Sequence, residues 1–217
     1  MALRLNLGDM VALHDDTEED LVGSDPHQDA ITEAHAGIQT YAEEQSLPWY
    51  VTKQVMLIAT LSTGDEWRPS PDVYVVPGVP AHPRASYDTR VEPFPPFIIE
   101  VASKRTARYD STEKDNAFRS LGTVEYLQFD PTGEELGTQV QARRRASAAS
   151  TPGQWTWQTW TPDQNGLWHS EVLGLGFRPE GVLLRVIRPD GSVVATRREL
   201  NRRVAELEQD LRRLRGQ

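Results

Sequence analysis

The chain has 217 residues, a net charge of −9 and no cysteine. That length suits one generous domain or a domain with an appendage, and no apolar run approaches the length of a membrane span. A disulfide framework and a thiolate metal site are both excluded, so any bound metal would rest on carboxylate, imidazole or carbonyl groups, a donor set that favours Mg²⁺ or Mn²⁺.

The charge is concentrated at one end. Residues 1–50 carry eleven acids against Arg4 alone, and the remainder is close to neutral. This argues against indiscriminate coating of nucleic acid but leaves room for a local basic groove. The start of the chain lacks the pattern of a signal peptide, and a cysteine-free soluble chain fits a cytoplasmic setting.

Residues 1–23 are acid-rich and weakly patterned, which predicts a flexible or edge segment. Asp25-Pro26, with Gln28 three residues after Asp25, then marks a helix start. Ile31, Ala34, Ile38 and Ala42 fall on one face of a helix reaching about Gln45. Residues 50–61 read as a strand, Gly64-Asp65 as a turn, and Val73 to Val76 as a short buried strand. The proline-rich stretch 78–96 reads as a surface loop and Phe97 to Val101 as a second apolar strand. A helix over 110–121 closes at Gly122, and a strand runs from Glu125 to Asp130 before a Pro-Thr-Gly turn. Arg143 to Ser150 reads as a basic, then Ala/Ser-rich joint. Beyond it, Trp155, Trp157, Trp160 and Trp168 with repeated turn signals predict a small β-extension. Leu200, Val204, Leu207, Leu211 and Leu214 recur at heptad spacing, too briefly for a long independent coiled coil. The expected fold is therefore mixed α/β, a β-sheet core flanked by helices. Its expected parts are an acidic segment (1–23), a core (24–150), the β-extension (151–195) and an amphipathic C-terminal helix (196–217).

Three residues inside the core invite chemistry. Asp72 opens an apolar strand, although an aspartate there also serves as a turn residue. Glu100 shares a strand face with Ile98 and Ala102, and a carboxylate beside aliphatic groups is costly unless paired or bound to a metal; an exposed strand end is the plainer reading. Helical spacing puts Lys114 on the stripe of Ala117, Phe118 and Leu121, with Asp115, Asn116, Arg119 and Ser120 pointing elsewhere. A lysine snorkelling past the helix end competes with that reading. His27 continues the inner face of the first helix, either as packing or as a partner of the site.

The blocks Pro71-Asp72-Val73, Pro95 to Ser103 around Glu100, Asp110-x-x-x-Lys114 and Gly122 to Pro131 resemble, in order and spacing, the Uma-type restriction-endonuclease family of the PD-(D/E)xK nuclease superfamily. The likeness spans roughly residues 24–131. It implies a restriction-endonuclease-like sheet core and a Mg²⁺-dependent phosphodiesterase site, with Asp72 and Glu100 as metal ligands and Lys114 as the catalytic lysine. Two departures stand out. Ala102 occupies the position of the superfamily lysine, which leaves Lys114 or, as a fallback, Lys104. No Tyr-Glu-Leu block is present near the N-terminus to supply a further acid.

On that reading a divalent metal polarises a phosphodiester, and the basic residues Lys104, Arg105 and Arg108, which follow the site, would contact phosphates. The expected partner is nucleic acid, DNA above all, with a homodimer through the C-terminal helix. The rival reading keeps the fold without turnover, as a binding or assembly module acting through its extension and C-terminal helix.

Overall fold

The computed structural model describes residues 25–103, 111–147 and 155–215. In chain order the elements are α1 (Asp25–Glu44), β1 (Trp49–Thr52), β2 (Leu57–Thr60), β3 (Glu66–Trp67), β4 (Val73–Pro77), β5 (Tyr87–Asp88), β6 (Phe97–Val101) and α2 (Ser111–Leu121). They continue with β7 (Glu125–Phe129), β8 (Val140–Ser147), β9 (Trp155–Thr159), β10 (Trp168–His169), β11 (Gly176–Glu180), β12 (Leu183–Ile187) and α3 (Arg197–Arg215).

Six strands form the main sheet in the order β1-β4-β6-β7-β8-β9. The β6–β7 pair is parallel, joined through α2, and the other neighbours are antiparallel. The central strands are buried on both faces, which is why Val73 to Val76 and Phe97 to Ile99 are unbroken apolar runs rather than alternating ones. Val73, Val75, Phe97 and Ile99 meet α1 through Ala30, Ile31, Ala34 and Ile38. Tyr74, Val76 and Ile98 point the other way, toward Ala117 and Phe118 of α2.

The small sheet β10-β11-β12 packs into the same core as α1, and Phe177 stacks on Phe97 at 5.2 Å between ring centres. Gly37 makes that approach possible: a Cβ there would lie 2.8 Å from Cγ2 of Val186. Glu125, fully buried at the start of β7, fastens the extension to the main sheet. Its carboxylate accepts from the Ser170 hydroxyl and the Glu171 amide and lies 3.0 Å from the Arg144 guanidinium. Burial pushes its carboxyl up, against the opposing pull of those partners.

Four expectations change. Residues 50–61 are two strands in different sheets, because Gln54 adopts a left-handed backbone (φ 53°) and turns the chain. The proline-rich stretch holds a short strand, β5, whose Tyr87 is buried against Tyr50 and Tyr74. The expected joint is strand up to Ser147, and β8 and β9 extend the main sheet instead of opening a separate extension. Asp115 does not point away from the sheet: it is buried, accepts from Trp157 Nε1 of β9 at 2.5 Å and pairs with Arg143 of β8 at 3.0 Å. The β8–β9 hairpin wraps the flank of α2, so the helix has a wider inner face than its own periodicity suggests. The C-terminal helix is present as α3, with no residue buried. Among the described residues no helix is long and apolar enough to cross a membrane.

Candidate active site at the β4–β6 end

The antiparallel register pairs Val73 with Ile99 and Tyr74 with Ile98, which sets Asp72 level with Glu100 at the next step. Two acids 28 residues apart in sequence therefore meet where β4 begins and β6 ends. The Asp72 amide donates to Glu100 Oε2 at 3.3 Å. The Asp72 side chain accepts from the Val101 amide at 2.8 Å and from Gln54 Nε2 at 3.3 Å. Glu100 is partly buried, and its cross-strand neighbour on β7 is Gln128.

Asp72 is only 7% exposed. Burial pushes its carboxyl above the usual aspartate range. The Val101 amide, His27, Glu100 and Gln54 oppose that shift without overcoming it. Burial therefore disfavours the ionised form of Asp72 in the absence of a bound cation.

His27, on the first turn of α1, closes the corner from the other side. Its Nε2 lies 2.9 Å from the Val101 carbonyl and 3.8 Å from Asp72 Oδ2. A carbonyl only accepts, so Nε2 carries the proton. Val101 is gripped twice, its N–H by Asp72 and its C=O by His27, which fixes the end of β6. The Val101 carbonyl is therefore the acceptor of this histidine.

Gln54 escaped sequence reasoning. Its amide donates to the carbonyls of Pro71 (3.0 Å) and Asp72 (3.2 Å) while its side chain reaches the carboxylate. A non-glycine residue held in the left-handed region costs on the order of 1 kcal/mol, and such residues gather at functional sites. The one local signal was the polar Lys53-Gln54 pair interrupting an apolar run. Lys53 pins the same turn to α1 through Thr32 Oγ1 at 2.9 Å.

The structure thus brings together Asp72, Glu100 and His27. Lys114 sits half-buried on the opening of α2, whose Ala117 and Phe118 pack on the sheet face that Ile98 shares. Lys104, Arg105 and Arg108 lie outside the described residues.

Among the described residues no group of three or more carboxylate or imidazole side chains converges as a metal cage. Two adjacent carboxylates, one of them deeply buried, suit Mg²⁺, which takes one or two carboxylates and keeps several waters. The donor set fits that ion.

A mixed sheet with helices packed on it is the fold class the sequence led one to expect. The chain belongs to the Uma2 family, described as "Putative restriction endonuclease", whose family model matches residues 5–161. It is also similar to a solved structure titled as a putative nuclease belonging to DUF820 from Anabaena variabilis. That likeness has 18% identity and a TM-score of 0.48, covering 70% of this chain and 76% of the other. No curated protein matches.

Proposed function

We propose that the chain is a Mg²⁺-dependent endonuclease that hydrolyses phosphodiester bonds of DNA. The observation that carries this reading is the meeting of Asp72 and Glu100, one of them deeply buried, at the end of β4 and β6. Both would hold the metal, Mg²⁺ or Mn²⁺. When bound, that ion supplies Lewis acidity toward the scissile phosphate and lowers the pKa of a water.

The chain's own groups do the rest. The Val101 amide and Gln54 orient the Asp72 carboxylate, and His27 holds Val101 in place as a positioning residue. Lys114 would stand beside the reacting phosphate and offset developing negative charge. Lys104, Arg105 and Arg108 would grip the flanking phosphates, giving affinity without sequence information. A cysteine-free chain with this substrate suits the cytoplasm. Two copies joined through α3 would present two such sites to one duplex, as cutting both strands requires.

The exposed α3 favours one alternative, a nuclease-fold protein that binds or assembles without turnover. A cleavage assay on duplex DNA, single-stranded DNA and RNA with Mg²⁺ or Mn²⁺ separates the two. Metal-dependent cutting that Asp72→Ala and Glu100→Ala abolish supports the enzyme. Absence of cutting on every substrate, with no metal bound, supports the alternative.

A further inference from the structure

We infer that α3 pairs in parallel and in register with α3 of a second copy of this chain. The helix leaves the body from a fixed base. The Thr196 amide donates to Glu199 Oε2 at 2.8 Å while the Glu199 amide donates to Thr196 Oγ1 at 3.2 Å, a reciprocal cap. The buried Arg185 donates to the same Glu199 oxygen at 2.8 Å. Beyond that base none of the described residues covers the helix: Leu200, Val204, Leu207, Leu211 and Leu214 are 47%, 54%, 56%, 52% and 71% exposed.

Their spacing makes Leu200, Leu207 and Leu214 the d positions and Val204 and Leu211 the a positions of a heptad seam. Val204 at one of the two a positions, with leucine at every d, leans a parallel seam toward two strands.

The flanking charges choose the occupant. In a parallel pair each g residue faces the e residue five places on in the other helix. Arg203 then meets Glu208 of the partner copy, and Asp210 meets Arg215. Two-fold symmetry doubles both attractions. Because the set is complementary to itself, the fitting partner is another α3; a strip of one sign would have called for a partner of the other. An antiparallel pair centred on the same five apolar residues would keep an Arg203–Asp210 attraction but set Glu208 against Glu208, and it would separate the two Leu214 residues. The pairs that Glu208 and Asp210 make within the helix, to Arg212 and Arg213 at 3.4 Å, are exposed and weak, so they do not hold these acids back.

The association is independent of the chemistry at Asp72, so its failure would leave the nuclease reading intact. The test is sedimentation of the full chain as wild type, Arg203→Glu, Glu208→Arg, and an equal mixture of the two variants. Wild type is expected to dimerise. Each variant alone sets like charges together twice and should dimerise on the order of tenfold more weakly. The mixture restores both attractions and should recover the wild-type dimer. Because the chain has no native cysteine, Leu214→Cys adds an orientation readout: mild oxidation should join the two copies through that residue. A monomeric wild type, a mixture no tighter than its parts, or an uncrosslinked Leu214→Cys chain would each overturn the inference. All the changes fall on the exposed helix, and an unchanged melting curve confirms that the body is intact.

Discussion

Asp72→Asn should make the metal-free protein more stable at neutral pH while removing its activity. Both hydrogen bonds survive the change. The asparagine carbonyl can accept from the Val101 amide, and the Gln54 amide, turned over, can accept from the new NH₂ group. What disappears is a buried negative charge beside Glu100. Relief of that desolvation is worth on the order of 1–3 kcal/mol. The sign follows from the raised carboxyl of Asp72. Below the ordinary aspartate value of 3.8, folded and unfolded chains are both protonated and the two proteins should be equally stable relative to that group. As pH rises from that value toward the higher folded one, the unfolded wild type ionises while the folded protein keeps its proton, so wild type loses stability. The advantage of the variant therefore opens with rising pH and levels off above the folded value. Urea denaturation in the presence of a chelator, followed through the tryptophans, measures it. Adding Mg²⁺ should then stabilise wild type only, by about 1.4 kcal/mol for each tenfold of free ion above its Kd. A variant less stable than wild type at neutral pH, or an advantage that does not change with pH, would refute the reasoning.

Gln54→Gly relieves the left-handed backbone but strips a donor from Asp72, so stability should stay within about 1 kcal/mol while cleavage falls about tenfold. Unchanged cleavage would remove Gln54 from the site. Glu125→Ala should cost about 1–3 kcal/mol in urea denaturation, since it leaves the Ser170 hydroxyl and the Glu171 amide without their acceptor while Arg144 keeps Glu171 and the His169 carbonyl; a cost near zero would contradict that role. Gly37→Ala should destabilise by about 1–3 kcal/mol through its clash with Val186, although alanine is the better helix former. In a Val186→Ala background the same change should become neutral or stabilising, and simple additivity of the two would refute the clash.

How far the sequence led depends on which interactions are local. The apolar runs of β4 and β6 were readable because burial on both faces leaves a continuous hydrophobic string, and the inner face of α1 because its periodicity is its own. Alternation picked out Glu100, and its companions on the β6 face follow from the same rule. That Asp72 stands level with Glu100 is a fact of register between strands nearly thirty residues apart, which no local pattern encodes. The break at Gln54 is likewise stabilised from outside, by the carbonyls of Pro71 and Asp72. Asp115 was misdirected because a helical wheel knows one packing surface, whereas α2 has the sheet below it and the β8–β9 hairpin beside it. His27 was legible as an inward residue, but its grip on Val101 depends on where α1 ends up lying.

The most direct test is metal-dependent cleavage of DNA by wild type, Asp72→Asn, Glu100→Gln and Lys114→Ala, each first shown to be folded. The account predicts cutting by wild type with Mg²⁺ or Mn²⁺ and none with chelator. Loss of either carboxylate should abolish it, and loss of the lysine should slow it on the order of 10²–10³-fold. Full cleavage by folded Asp72→Asn would contradict the central claim that the end of β4 and β6 is the catalytic site.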